Sequence, residues 1–272
     1  MNGQVMALQG QKFGDLELYE MNGQVMAEPV IKCWNAIQSF AFRDDDLLVT
    51  AFPKSGITWL QEIVWLIAND LDFSGAQMQS ISDRFPYLEF PTPGIKTIGR
   101  LKSPRLIKTH LMPTLLFDDK HEDNSDCIHC KKTVPKMVTI FRNPKDLIVS
   151  YYHFCRMNKM IGYKEDFNHF FECFMKGSLP YGPFWSHYLD VLQWNDSHSE
   201  DHKILVIHFE DLKRDFTNQI NRILVTASMN CRLVQSSPIK LFMESSLVSG
   251  ESSVNESALE RDNWLLFLII LI

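Results

Sequence analysis

Apolar residues along the middle of the chain fall into short β-rich runs, each followed by a stretch with apolar positions at helical spacing. That order is expected of a parallel sheet covered by helices. Asp46 to Phe52 predicts a buried strand, and Thr58 to Asn69 predicts a helix whose apolar positions are Leu60, Ile63, Val64 and Ile67. Arg105 to Thr109 and Lys136 to Phe141 predict a second and a third strand. The third runs into Asn143-Pro144-Lys145-Asp146, with an asparagine cap, a proline at the first helical position and an acid at the third. A helix is expected from there to about Lys159. Asp166 to Lys176, stopped by Gly177, Pro183 to Trp194, and Asp211 to about Thr226 predict further helices, and Lys203 to Phe209 a fourth strand. The fold class is α/β: a single domain with a parallel sheet flanked by helices.

Both ends break this pattern. Met1-Asn-Gly-Gln-Val-Met-Ala7 recurs as Met21-Asn-Gly-Gln-Val-Met-Ala27, an identical heptapeptide at a spacing of 20. A solenoid needs at least three stacked units, so residues 1–28 are expected to be a flexible duplicated leader without fold meaning. Residues 29–244 are assigned to the domain and 245–272 to a divergent tail. That tail turns serine-rich over Ser245 to Ser257 and closes on nine apolar residues, Trp264 to Ile272. A membrane-crossing helix needs about 20. No membrane span is expected, and the tail is expected as a buried strand, a surface-binding segment or an aggregation-prone end.

Composition narrows the function classes. The chain has 272 residues, 45% apolar and 22% charged, with a formal charge of −6. It can bury a core, and it lacks the basic excess that phosphate-backbone binding draws on, so no nucleic-acid partner is expected. Six cysteines are too sparse for a disulfide framework, and Met1 to Gln9 shows neither a basic nor an apolar leader region. A reducing, cytoplasmic location follows. Cys127-Ile-His129-Cys130, with His121 nearby, offers zinc-binding chemistry, but a structural zinc site normally shows a second ligand pair. A solvated loop with reduced thiols is the plainer alternative, and no metal is expected.

Three segments carry chemistry. Phe52-Pro53-Lys54-Ser55-Gly56-Ile57-Thr58-Trp59 sits where a strand turns into a helix, so free backbone N–H groups and the helix dipole converge on one point. Lys54 adds charge, Ser55 and Thr58 add hydroxyl donors, and Gly56 lets the main chain come close to an anion. The lysine precedes the glycine, unlike the common phosphate loop; an ordinary turn with a solvent-facing lysine is the alternative. Arg105-Leu-Ile-Lys108-Thr109-His110 places Lys108 and His110 on one face of a strand end, because side chains alternate with period two. His110 suits proton abstraction from a hydroxyl, and Lys108 suits charge neutralisation on a departing oxygen. Taken alone, the pair also fits a surface histidine beside a solvated lysine. In Phe141-Arg142-Asn143-Pro144-Lys145-Asp146, Arg142 offers a planar fork for a phosphate, and Ser150, two turns on, offers a hydroxyl.

Together these segments resemble the cytosolic sulfotransferase family. Its phosphosulfate loop reads Tyr-Pro-Lys-Ser-Gly-Thr-Thr-Trp, its catalytic strand Arg-Leu-Ile-Lys-Thr-His-Leu, and its second phosphate motif Arg-Asn-Pro-Lys-Asp running into Val-Ser-Tyr-Tyr-His-Phe. This chain has all three in order, including Val149-Ser150-Tyr151-Tyr152-His153-Phe154, over about Pro29 to Leu224. The resemblance implies a P-loop-like phosphosulfate-binding loop and the donor 3′-phosphoadenosine 5′-phosphosulfate (PAPS). It also implies metal-free sulfuryl transfer to a hydroxyl or amine of a small phenol, alcohol or amine. By position, Lys54, Ser55, Gly56, Ile57, Thr58 and Trp59 would hold the 5′-phosphosulfate and adenine side, and Arg142 and Ser150 the 3′-phosphate. His110 would be the base, with Lys54 and Lys108 stabilising charge. Tyr87, Phe90 and Phe154 match the aromatic acceptor pocket, next to Lys108 and His110; core packing explains those rings equally well.

The chain also departs from the pattern. Ile57 replaces a threonine, which removes a hydroxyl and keeps the backbone N–H. Phe209 stands at a nucleotide-side position where the family usually has tyrosine in Tyr-Glu-Asp. The family's Arg-Lys-Gly segment, its Gly-Asp-Trp-Lys run and its dimer motif are not recognisable after about Val225, so oligomeric state is left open. Two other functions follow from these features. One is a nucleotide-binding, catalytically impaired protein or truncated isoform. The other is a P-loop nucleoside-phosphate kinase, which would need a magnesium-binding carboxylate near Lys54, with Asp46 or Glu62 as candidates.

Overall fold

The structure is a computed structural model that describes residues 6–92, 94–117, 133–198 and 203–227, with side chains from residue 11 onward. Strands β1 (Met6–Phe13), β2 (Leu16–Met21) and β3 (Gln24–Ala27) form an antiparallel meander in the order β1-β2-β3. Strands β4 (Leu47–Thr50), β5 (Leu106–Thr109), β6 (Lys136–Phe141) and β7 (Leu205–His208) form a second sheet, all parallel, in the order β5-β4-β6-β7. The four predicted parallel strands are present, and β6 has the predicted bounds.

The parallel strands are apolar on both faces because helices cover both. On one face Leu48, Ile107 and Met137 pack with Val30, Trp34 and Ile37 of α1 (Glu28–Gln38) and with Val191 and Trp194 of α9 (Phe184–Ser197). On the other, Leu47, Val49, Val138 and Ile140 pack with Leu60, Ile63, Val64 and Ile67 of α2 (Ile57–Ala68). Ile220 and Ile223 of α11 (Phe216–Ala227) complete that layer. Each such buried side chain contributes about 1.5–3 kcal/mol. Buried Arg105 holds buried Asp46 at 2.5 and 2.8 Å, tying the start of β5 to the start of β4. The neighbouring ends of β4 and β5 thus reach the site in register, Thr50 opposite Thr109.

A third cluster packs the meander against two helices and reaches Phe52 beside the site. Phe13, Leu18 and Val25 of the meander pack against Leu147, Ile148 and Tyr151 of α7 (Pro144–Met157) and Phe170 and Phe174 of α8 (Phe167–Lys176). Here the structure corrects the sequence expectation. Residues 6–27, read as a flexible leader without fold meaning, are strands, and Met21 and Met26 are fully buried. The second heptapeptide copy is a hairpin: Asn22 and Gly23 turn at φ +47° and +85°, closed by the pair Met21 and Gln24. A two-residue Asn-Gly turn matches the right-handed twist of its strands, and that signal stood in the repeat itself. Residues 1–5 of the first copy lie outside the described residues.

A second difference is at the C-terminal side. Strand β7 stops at His208, and Phe209 opens a separate helix, α10 (Phe209–Arg214). The single helix predicted over Asp211 to Thr226 breaks at Asp215, whose carbonyl accepts the Gln219 N–H of α11 at 3.2 Å and whose carboxylate accepts the Asn218 N–H at 3.4 Å. An aspartate that offers its oxygens to the next turn ends one helix by starting another. The remaining described helices are α3 (Phe73–Met78), α4 (Ile81–Arg84), α5 (Gly94–Ile98) and α6 (Pro113–Phe117). The Cys127–Cys130 loop and the serine-rich and apolar C-terminal segments lie outside the described residues.

Candidate active site

The 52–59 segment leaves β4 and enters α2 as predicted, and its backbone is unusual. Lys54 sits at φ +68° and Gly56 at φ +99°. Gly56 is the N-cap of α2 and supplies no side-chain cap, so no capping side chain occupies the first N–H groups of the helix. A Cβ on Gly56 would lie 2.5 Å from Cδ2 of the Phe209 ring. Glycine is thus required there both by backbone conformation and by close packing of Phe209. Ser55 is fully buried beside the Tyr188 hydroxyl, and its Oγ has no protein hydrogen bond of normal geometry. Ile57 is buried in the first turn of α2, and Thr58 and Trp59, half-buried, follow it.

Two cations converge on this loop. Arg142, at the end of β6, donates through Nη1 to the Lys54 carbonyl at 3.1 Å, and its guanidinium lies over the Phe209 ring at 4.5 Å. Its main chain is clasped by Tyr188, whose hydroxyl accepts the Arg142 N–H at 2.8 Å and donates to the Arg142 carbonyl at 3.1 Å. Lys54 Nζ lies 4.9 Å above the Phe154 ring. Burial and then the Arg142 charge push the Lys54 ammonium below its ordinary pKa, and burial does the same to Arg142. A buried lysine whose charge the neighbouring Arg142 destabilises, a helix start without a side-chain cap and the buried Ser55 hydroxyl form a cradle suited to an anionic group. The N-terminus of α7 is built differently: Asn143 Oδ1 accepts the Lys145 N–H at 3.0 Å, as its cap motif predicted. Ser150 is half-buried on that helix.

Trp59 meets Phe209 edge-on at 5.7 Å and stacks on Phe216 at 6.3 Å. Phe209, which stands in place of the family's usual tyrosine, is therefore a platform shared by Gly56, Trp59 and Arg142. Phe216 was missed, since it occupies the start of a helix that the sequence merged with its predecessor.

His110 follows β5 directly and is buried. Its Nδ1 makes a short hydrogen bond to the carbonyl of Ala51, the residue after β4. A carbonyl only accepts, so Nδ1 carries the proton and Nε2 keeps its lone pair. Burial, and then the charge of Lys108, hold the imidazole well below its ordinary pKa, with Lys54 acting in the same sense, so it is neutral at pH 7. Lys108 is depressed to about 8, chiefly by burial, with Glu89 raising it and Lys54 lowering it. One ring reports both side chains: Tyr87 lies 4.7 Å from Lys108 Nζ and 5.2 Å, edge-on, from His110. Phe90 stacks on Tyr87 at 4.9 Å. The structure thus brings Lys108, His110, Tyr87 and Phe90 together, and Lys54, Arg142, Phe154 and Phe209 together. Lys54 acts electrostatically on Lys108 and His110.

Sequence reasoning missed several residues here. Glu89 is fully buried; its Oε1 accepts the His110 N–H at 2.5 Å and its Oε2 accepts the Thr109 hydroxyl at 2.8 Å. Burial raises its carboxyl to about 7 against the opposing pull of those bonds and of Lys108. Tyr181 accepts a 2.7 Å hydrogen bond from Tyr87 and lies 5.2 Å from the His110 ring. His187 of α9 is fully buried near Phe52, and burial lowers its pKa to about 3. An acid inside the apolar run Pro86-Tyr-Leu-Glu-Phe90 was the available signal for Glu89; Tyr181 and His187 had none.

The kinase alternative is not supported. Glu62 is held by Arg84 Nη2 at 2.8 and 2.9 Å, and Asp46 by Arg105, so both candidate carboxylates are already neutralised by arginine.

Residues 44–225 match the family model for the sulfotransferase domain. Human sulfotransferase 1C2 is 32% identical over 266 residues, covering 94% of this chain and 85% of the relative. Mouse sulfotransferase 1E1 is 34% identical over 209 residues, covering 75% of this chain and 66% of the relative. The crystal structure of a retinol dehydratase in complex with retinol and PAP shares the fold, with a TM-score of 0.70 at 21% identity, over 86% of this chain and 79% of that one. The chain belongs to the sulfotransferase family, the PAPS-dependent transferases whose three motifs it carries in order.

Proposed function

We propose that this protein transfers a sulfuryl group from PAPS to a hydroxyl or amine of a small, flat acceptor, in the cytosol. The observation that carries this reading is the Ala51–His110 hydrogen bond. It ties the base to the same strand end that feeds the Lys54 loop, so the proton acceptor and the anion cradle share one rigid support.

Lys54, the α2 N-terminus and Ser55 would hold the phosphosulfate end, Arg142 and Ser150 the 3′-phosphate, and Trp59 and Phe209 the purine side. PAPS brings an electrophilic sulfuryl group. His110 Nε2 takes the proton of the acceptor hydroxyl or amine, while the Nδ1–H bond to Ala51 keeps the ring oriented. Lys108, with its pKa near 8, is mostly protonated at pH 7 and supplies charge where an oxygen becomes anionic. Orientation and preorganised charge account for the acceleration. Tyr87, Phe90, Phe154 and Tyr181 support an aromatic wall for the acceptor.

Titration calorimetry with adenosine 3′,5′-bisphosphate, followed by incubation with PAPS and a panel of phenols, alcohols and amines, tests the proposal. Binding with sulfated product is the expected result. Binding without product from any acceptor favours a nucleotide-binding, non-catalytic member; absence of binding overturns both.

A further inference from the structure

The second heptapeptide copy reaches the base from outside the parallel sheet. Gln24, at the start of β3, is 1% exposed. Its Nε2 donates to the His110 carbonyl at 2.9 Å and its Oε1 accepts the Met112 N–H at 3.2 Å. Because a carbonyl accepts and an N–H donates, only one orientation of the amide satisfies both. Strand β5 ends at Thr109, so these two main-chain groups lie beyond the ladder, and Gln24 supplies the partners that the sheet does not.

The next residue braces the facing wall. Val25 donates its N–H to the Gly182 carbonyl at 2.7 Å, and its carbonyl accepts the Tyr181 N–H at 2.6 Å. Tyr181 is held at φ +65°, a conformation that a non-glycine residue keeps only when its surroundings impose it. Its hydroxyl meets Tyr87 and its ring edge meets His110. Two consecutive residues of one hairpin thus fix His110 and Tyr181, partners more than 80 residues away in sequence.

We infer that Gln24 is a positioning residue for His110 and that the Met21–Ala27 hairpin is the brace that sets the base against the Tyr181 wall. The His110 ring is bonded to Ala51, its N–H to Glu89 and its carbonyl to Gln24, so every hydrogen-bonding handle except Nε2 is fixed. The hairpin bonds none of the residues of the Lys54 loop through Gln24 or Val25, so loss of the amide acts on the base and leaves the nucleotide side intact.

The kinetic part of this inference rests on the sulfuryl-transfer reading; the geometric part does not. Gln24→Ala and Gln24→Met in the full chain test it. Methionine keeps the length of the side chain and offers no N–H to the His110 carbonyl, so it removes the base-side bond while filling the same space. Three readouts are taken: bisphosphate affinity by calorimetry, the kcat and KM values with PAPS, and the nitrogen-resolved imidazole spectrum of His110, identified by its disappearance in His110→Asn. In both variants bisphosphate affinity is expected to stay within about twofold of wild type and kcat to fall about ten- to a hundredfold. The His110 ring is expected to leave its single Nδ1-protonated form for a mixture. An unchanged ring spectrum in either folded variant overturns the inference. So does a loss of bisphosphate affinity in step with kcat, or failure of both variants to fold, because each assigns Gln24 to the fold as a whole. If the wild-type protein makes no sulfated product, the functional reading fails while the ring spectrum still decides the positioning.

Discussion

The anion cradle and the base are built by opposite means. The cradle is largely local: Lys54, Ser55 and Gly56 are consecutive, α2 starts beside them, and Arg142 is a distant cation bonded to the Lys54 carbonyl. The base is assembled from afar, with His110 held by Ala51, Glu89 and Gln24 on three separate segments. Local construction places charge through strand–loop–helix geometry alone. Long-range construction fixes one ring nitrogen by closing off every other polar handle. Substitutions should therefore separate the two regions, with rate lost on one side and affinity lost on the other.

The largest separation is expected from His110→Ala. Removing the proton acceptor should lower kcat by about two to four orders of magnitude. Bisphosphate affinity should hold, because Lys54, Arg142 and α2 are untouched. An equal loss of affinity and rate, measured by calorimetry and product formation, would merge the two regions into one and remove His110 from its role.

Gly56→Ala attacks the other region. The new methyl meets a backbone at φ +99° and the Phe209 ring at 2.5 Å, and Phe209 is pinned between Trp59 and Arg142. Backbone strain and overpacking of this kind cost about 1–3 kcal/mol each. Bisphosphate affinity should fall at least tenfold, and thermal unfolding should begin earlier. The pair Gly56→Ala with Phe209→Ala sharpens the result: Phe209→Ala loses affinity of its own at the purine side, but it also removes the collision, so the loss in the double variant is expected to be smaller than the sum of the two single losses.

The same contrast explains what could be read in advance. The parallel sheet, α2, α7 and the Lys54, Arg142 and His110 motifs were legible because each is encoded within about ten consecutive residues, as a periodicity, a cap or a strand-to-helix turn. The hairpin was not, since a repeat of two copies was taken as a leader and its Asn22-Gly23 turn went unused. Glu89, Gln24 and Tyr181 carry their meaning only through partners 20 to nearly 160 residues away, and no local pattern reports such pairs. The break at Asp215 escaped because the helical periodicity of α10 continues into α11.

An intermediate effect is expected in the pH profile. Lys108 must be charged to act on an anionic oxygen, and its pKa is lowered to about 8, so kcat should decline as pH rises through about 8. His110 is already neutral at pH 7, so its limb lies on the acid side, below its ordinary 6.5. Lys108→Arg should carry the alkaline limb out of the measurable range, since guanidinium stays protonated. A limb near pH 8 that persists in this variant would belong to another group.

The smallest effect isolates Glu89 from catalysis. Its carboxyl is raised from 4.5 to about 7, mainly by burial, so the folded state holds a proton that the unfolded chain releases. The sign follows from linkage: this contribution is fully present below about pH 4.5 and is lost as pH rises through about 7. Glu89→Gln keeps an oxygen for the His110 N–H and cannot ionise. Its melting temperature should therefore fall less than that of wild type between pH 5 and 8, with each kcal/mol worth about 2–4 °C in a protein of this size. Parallel melting curves for the two proteins across that range would mean that Glu89 is ionised throughout, stabilised by Lys108 and its two donors strongly enough to outweigh burial. The cluster around His110 would then carry a permanent negative charge, and the contrast between a charged cradle and a neutral base would give way to two charged regions facing one another.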